Sequence, residues 1–167
     1  MAHIIAFANQ KGGVGKTSSV ISIAHALAMR EKKVLAVDLD PQGNSSRILG
    51  KILPSEQPRT VIDLFTKKTA ILSNTYVDSQ IKGVKLIPSY LKLFEIERTM
   101  KEIERLSALR TKVDGAALEE FDFVLVDTPP NLGTFLLNAL IIADYVIIPI
   151  DAESIFAVEG QIGRAHV

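Results

Sequence analysis

Residues 11–17 read Lys-Gly-Gly-Val-Gly-Lys-Thr, between the apolar run 4–8 and an apolar-periodic stretch that begins at Val20. Glycines at 12, 13 and 15 let a backbone curl until successive N–H groups converge on an anion, and a helix N-terminus behind them adds partial positive charge. That is the chemistry of a phosphate cradle. Lys16 would reach the terminal phosphates of a nucleoside triphosphate, and the Thr17 hydroxyl would ligate the Mg²⁺ that bridges them. Gly12, Gly13, Val14, Gly15, Lys16, Thr17 and Ser18 form the expected binding segment.

Two acidic constellations accompany it. In Val37-Asp38-Leu39-Asp40-Pro41-Gln42-Gly43-Asn44, carboxylates two residues apart point the same way from an extended backbone. Beside a phosphate loop they could orient an attacking water or hold the waters around Mg²⁺. The alternative is that Asp38 and Asp40 end a strand and cap a helix beginning near Asn44. Further along, the apolar run 123–126 leads into Asp127-Thr128-Pro129-Pro130. An aspartate ending a buried strand is the Walker B arrangement, whose carboxylate reaches the Mg²⁺ shell and bonds the loop threonine, here Thr17.

The elements that must position these groups are legible as continuous apolar runs at 4–8, 34–37, 84–87, 123–126 and 146–150. Continuous rather than alternating runs predict strands covered on both faces. Segments 17–30, 91–110 and 134–143 read as helices, the second with one apolar face and a solvated charged one, and a short helix is expected over 60–65. Strand–helix alternation predicts a doubly wound α/β fold with a mostly parallel sheet and helices on both faces. Ligands of such sheets sit at the carboxyl ends of the strands, where all three motifs fall. Residues 50–83 read as a surface excursion with weak periodicity.

The chain has 167 residues, 47% of them hydrophobic, enough for one core. Nineteen basic and nineteen acidic residues cancel, so overall charge argues for neither nucleic acid nor an anionic membrane as partner. No apolar run is long enough to span a bilayer, and a cytoplasmic location is the expectation. With no cysteine, disulfides, thiolate metal sites and iron–sulfur clusters are excluded. His3 and His25 read as strand-edge and helix positions rather than ligands.

Gln10 stands where the usual phosphate loop begins with glycine, and a second lysine, Lys11, follows it. This resembles the deviant Walker A loop of the ParA/MinD ATPases, and the segments DLDPQGN, DTPPNLG and ADYVIIPI resemble the ParA, Soj-like branch more than MinD. The resemblance implies ATP as ligand and hydrolysis as activity. It also implies that Lys11 crosses a dimer interface to the other subunit's phosphates, that Asp40 helps activate the lytic water, and that Asp38 sits beside metal and phosphates. Asp127 then belongs to the metal shell and residues 128–133 form a switch that senses the γ-phosphate. At the level of the whole protein it implies an ATP-dependent homodimer, non-specific binding to nucleoid DNA, a ParB-like stimulating protein, no membrane partner and a role in segregating a chromosome or plasmid.

The resemblance continues through Glu153 and residues 157–160 and then stops. Residues 1–160 are therefore expected to be the N-terminal portion of a single ParA-type domain. Residues 162–167 match the translation of a common sequencing adaptor, so 161–167 is expected to be a non-native tail in which His166 has no role. Three other readings stay open: a MinD-like or cargo-positioning ATPase, a non-catalytic nucleotide-dependent scaffold, and a phosphate-loop kinase. Lys11 and the absence of an identifiable acceptor site argue against the last.

Overall fold

The computed structural model describes residues 1–100 and 107–151. Six strands, β1 (His3–Phe7), β2 (Val34–Asp38), β3 (Val77–Asp78), β4 (Val84–Ile87), β5 (Phe123–Asp127) and β6 (Tyr145–Ile147), form one sheet in the order β3-β4-β2-β5-β1-β6. All pairings are parallel except β3 with β4. The helices are α1 (Lys16–Ala28), α2 (Asn44–Leu49), α3 (Val61–Thr66), α4 (Leu72–Thr75), α5 (Leu93–Thr99), α6 (Gly115–Glu120) and α7 (Thr134–Ile142). This is the doubly wound α/β fold that the alternation predicts.

Burial follows from the strand period. In β2, Val34 and Ala36 face one apolar cluster with Val20, Ala24, Leu86 and Leu125, whereas Leu35 and Val37 face another with Ile4, Val124, Val126 and Phe135. Both faces of the central strands are therefore covered. Among the described residues the expectation of two covered faces fails at β6, where Tyr145, Val146 and Ile147 are exposed.

Several boundaries differ from expectation for local reasons. The last strand ends at Ile147 rather than 150, because its neighbour β1 ends at Phe7 and Pro149 has no N–H to donate. The helix expected over 91–110 stops at Thr99, with Met100 extended at φ −66°, ψ 136°. The Thr99 hydroxyl donates to Glu95 O and Ile96 O, a local bond that competes with continuing the ladder. Residues 107–112 resume as a turn and a short 3₁₀ segment, Arg110–Lys112, while 101–106, the Glu153 and 157–160 matches and the 161–167 tail lie outside the described residues. Strand β3 was not expected. It is two residues long and half polar, and it is held by the Asp78–Lys85 ion pair across the edge.

Helix α1 ends in a Schellman motif. Lys32 N–H bonds Leu27 O and Glu31 N–H bonds Ala28 O, with Glu31 itself left-handed at φ 61°. The chain turns sharply there and enters β2.

Candidate nucleotide site

Because β2, β5 and β1 are adjacent and parallel, their carboxyl ends deliver three segments far apart in sequence to one place. The register sets Phe7 and Asp38 on either side of Asp127. The loop after β1 then curls back to start α1, with Gly13 at φ 77° and Gly15 at φ 88°, conformations that side chains resist. A Cβ on Gly12, Gly13 or Gly15 would meet nothing within 4 Å, so the loop encloses open space.

Lys16 is the first residue of α1 and is 7% exposed. Its ammonium donates to Asn9 O at 3.0 Å and to Lys11 O at 3.4 Å, which lays the side chain back across the loop. Burial lowers its pKa, and the charges of Asp127 and Asp40 oppose that change. Lys11 points elsewhere. Its ammonium lies 3.5 Å from Asp151 Oδ2, with both side chains about half exposed, a class of pair that contributes little stability. Val14 is buried, Thr17 half-buried and Ser18 exposed.

Asp38, the last residue of β2, and Asp40, two residues on, differ in their partners. Asp38 is fully buried; its Oδ1 accepts from Asp40 N–H at 3.0 Å and its Oδ2 from Ser46 N–H at 3.0 Å and Ser46 Oγ at 2.6 Å. It thus caps the first turn of α2 and fixes the loop. Asp40 is 8% exposed and keeps one contact, Oδ1 with Gln42 N–H at 2.9 Å, while its charge acts on both Lys16 and Asp127.

Asp127 is 1% exposed, and neither carboxylate oxygen has a hydrogen-bond partner at bonding distance. Burial pushes its carboxyl up to about 6, with the charge of Asp40 adding to the rise and the nearby hydroxyls of Thr17 and Ser45 and the Lys16 ammonium working against it. Burial likewise pushes Asp38 up to about 7, with the charge of Asp127 adding to it. A buried acceptor without a donor is costly unless something else satisfies it. An oxygen-seeking cation would do so, and Asp127 with the Thr17 hydroxyl forms a donor set that fits Mg²⁺. No group of three or more acidic, histidine or cysteine side chains that could hold a metal occurs among the described residues. Mg²⁺ usually takes one or two protein oxygens and fills its remaining positions with phosphate and water.

Three contributors escaped the sequence reading. Asn9 organises the loop's first turn, its Oδ1 accepting from Lys11 N–H at 2.9 Å and its Nδ2 donating to Pro149 O at 2.8 Å. An Asx residue ahead of a glycine-rich turn is the signal that could have found it. Ser45 and Ser46 place hydroxyls among the carboxylates, and nothing in their spacing distinguishes them from ordinary first-turn serines. Two surface grooves lie elsewhere, around Lys33, Lys82 and Gly83 near the amino ends of β2 and β4, and hold none of the candidate site residues selected from sequence.

The loop, the strand order and the acidic ends match a known family. A family model described as an AAA domain, AAA_31, covers residues 2–164. The chain belongs to this ParA/MinD-like family. Relatives include the sporulation initiation inhibitor protein Soj of Bacillus subtilis, 34% identical over 96% of this chain and 62% of its own length. The chromosome partitioning protein ParA of Caulobacter vibrioides is 36% identical over 95% of this chain and 59% of its own. The chain thus spans about 60% of these ParA-type relatives. Among solved structures, a Borrelia burgdorferi plasmid partition protein superimposes with a TM-score of 0.81 at 32% identity, covering 99% of this chain and 72% of that one. A Mycobacterium smegmatis cobyrinic acid a,c-diamide synthase with bound ATP analogue and magnesium also gives 0.81, at 35% identity over 98% of this chain and 66% of that one. No helix among the described residues is long and apolar enough to cross a membrane.

Proposed function

We propose that the intact protein is a ParA-type partitioning ATPase that binds ATP with Mg²⁺ through residues 12–18. The observation that carries this is the meeting of Lys16, Thr17, Asp40 and the unpartnered Asp127 at the carboxyl ends of adjacent strands. Support comes from the partition relatives and from the ATP analogue and magnesium bound to a structural neighbour.

Mg²⁺, when bound, neutralises charge on the phosphates and would be held by Thr17 and Asp127. The chain's own groups do the rest. Backbone N–H groups of residues 12–17 seat the phosphates, Lys16 turns from the carbonyls of Asn9 and Lys11 to the terminal oxygens, and Asp40 orients a water for in-line attack. Asp38 acts indirectly by holding Asp40 N–H and α2 in place. Lys11, whose ammonium pairs with Asp151 at the surface, reaches the phosphates of a second subunit in an ATP-dependent dimer in this reading. Such a dimer on nucleoid DNA, released when a ParB-like protein stimulates hydrolysis, is the cellular role in this reading, with the protein in the cytoplasm. Residues 1–160 serve in it as the N-terminal part of the ATPase domain.

Two results test it. Asp40→Ala should bind ATP normally yet hydrolyse it at least roughly tenfold more slowly in single turnover, a barrier change of about 1.4 kcal/mol. A wild-type single-turnover rate removes Asp40 from the chemistry. Lys11→Ala should keep ATP affinity within about twofold, since an exposed pair contributes little, but lose the ATP-dependent dimer in sedimentation. A mutant that still dimerises with ATP makes Lys11 a solvated loop cation.

A further inference from the structure

One contact of the switch loop lies outside the phosphate chemistry. Glu97 is half-buried on α5, and its Oε1 accepts a 2.9 Å hydrogen bond from the N–H of Thr134, the first residue of α7. A carboxylate there meets orphan donors and the positive end of a nine-residue helix. The same oxygen closes on Gly133, where a Cβ would come within 2.6 Å of it. Glycine is what admits the carboxylate. Thr134 O accepts from Asn138 Nδ2 at 2.8 Å, and the buried Asn138 Oδ1 accepts from Leu109 N–H at 2.9 Å. The first turn of α7 is therefore bonded to the chain on both sides of 101–106. At the loop's other end, Thr128 Oγ1 donates to Phe7 O at 2.6 Å. Between these anchors Pro130, Asn131 and Leu132 are exposed.

We propose that Glu97 is a positioning residue for ATP hydrolysis: its carboxylate fixes where the loop 128–133 ends, and so the position that the loop takes beside the γ-phosphate. The inference rests on the ATPase reading above. A loop pinned at both ends has few conformations, and the residues between Thr128 and Thr134 keep their place only while both pins hold. Removing Glu97 frees that end without touching a phosphate-binding group. The loss should therefore fall on turnover and not on ATP affinity.

The test compares Glu97→Ala, Glu97→Gln and Gly133→Ala in the intact protein, by steady-state kinetics and by hydrogen exchange over residues 128–137 with ATP. Glu97→Ala and Gly133→Ala should each lower kcat roughly tenfold, the scale of one charge-assisted hydrogen bond, with KM for ATP changed less than about twofold. Exchange should quicken in the same segment. Glu97→Gln, whose amide oxygen still accepts the bond, should recover most of the rate. The double variant should be no slower than either single one, because both remove the same contact. Wild-type kcat in Glu97→Ala below its melting temperature, or unchanged exchange, overturns the proposal and leaves a helix cap. If Glu97→Ala does not fold, Gly133→Ala and Glu97→Gln decide on the same readouts. A wild-type protein that hydrolyses no ATP overturns the ATPase reading and this inference with it, before any variant is compared.

Discussion

Lys16→Ala should raise the Kd for ATP by roughly thirtyfold or more, the loss of about 2 kcal/mol from a charge-assisted phosphate contact. The side chain is 7% exposed and already lies across the loop, so little ordering is needed before it meets a phosphate oxygen. Its removal does a second kind of harm. Asp40 and Asp127 are the charges that oppose the fall in its pKa, and without the ammonium they would leave the cradle net negative toward a triphosphate. Calorimetric titration of the intact protein measures the change. An unaltered Kd would mean that the loop does not hold the terminal phosphates.

Asp127→Asn should move two properties in opposite directions. Without nucleotide at pH 7.5, it should melt higher than wild type by at least roughly 3 °C, the response of a domain of this size to about 1 kcal/mol. With ATP and Mg²⁺ its turnover should fall at least roughly tenfold, because the carboxylate charge assigned to the metal is gone. The first effect follows from proton linkage. Burial holds both carboxyls well above the ordinary carboxylate range in the folded chain, Asp127 pushed up to about 6 and Asp38 to about 7. Between that range and those values the folded state holds protons that the unfolded state has released, so these groups make stability fall as pH rises from about 4 to about 7. Asparagine removes one titration and should flatten that slope. Melting curves at pH 5 and 7.5 measure it, and parallel wild-type and mutant curves would show that Asp127 bears no burial penalty.

What could be read from the sequence was what is local. The Gly12–Thr17 loop declares itself because its chemistry is contiguous, and β1, β2, β4 and β5 because apolar-rich runs of four or five residues need no partner to be recognised. The residues alone did not separate the roles within Asp38-Leu39-Asp40, because both carboxylates are buried and differ in their partners: Asp38 is held by Ser46, eight residues on, whereas Asp40 accepts from Gln42 N–H. Glu97 was visible only as one charge on a solvated helix. Its partner is Thr134, 37 residues away, and no spacing rule links them. The helix that was expected to reach 110 shows the opposite failure. Its apolar period was real at Leu93 and Ile96, but the Thr99 hydroxyl turns back on Glu95 O and Ile96 O and the backbone leaves the helix at Met100.

The loop after β2 rests on Ser89, two residues beyond the end of β4, in a segment that contributes no candidate site residue. Gly43 is left-handed at φ 63°, and a Cβ there would stand 2.4 Å from Ser89 O. Ser89 N–H in turn bonds Ser46 Oγ at 2.8 Å, and that hydroxyl donates to Asp38. Backbone contact and relay together make the segment after β4 a reference surface against which the acidic loop is gauged. Drift in the 84–89 segment would therefore retune the rate of the chemistry long before it unfolded the chain, and variants that differ only there would behave as faster or slower clocks built on an unchanged site.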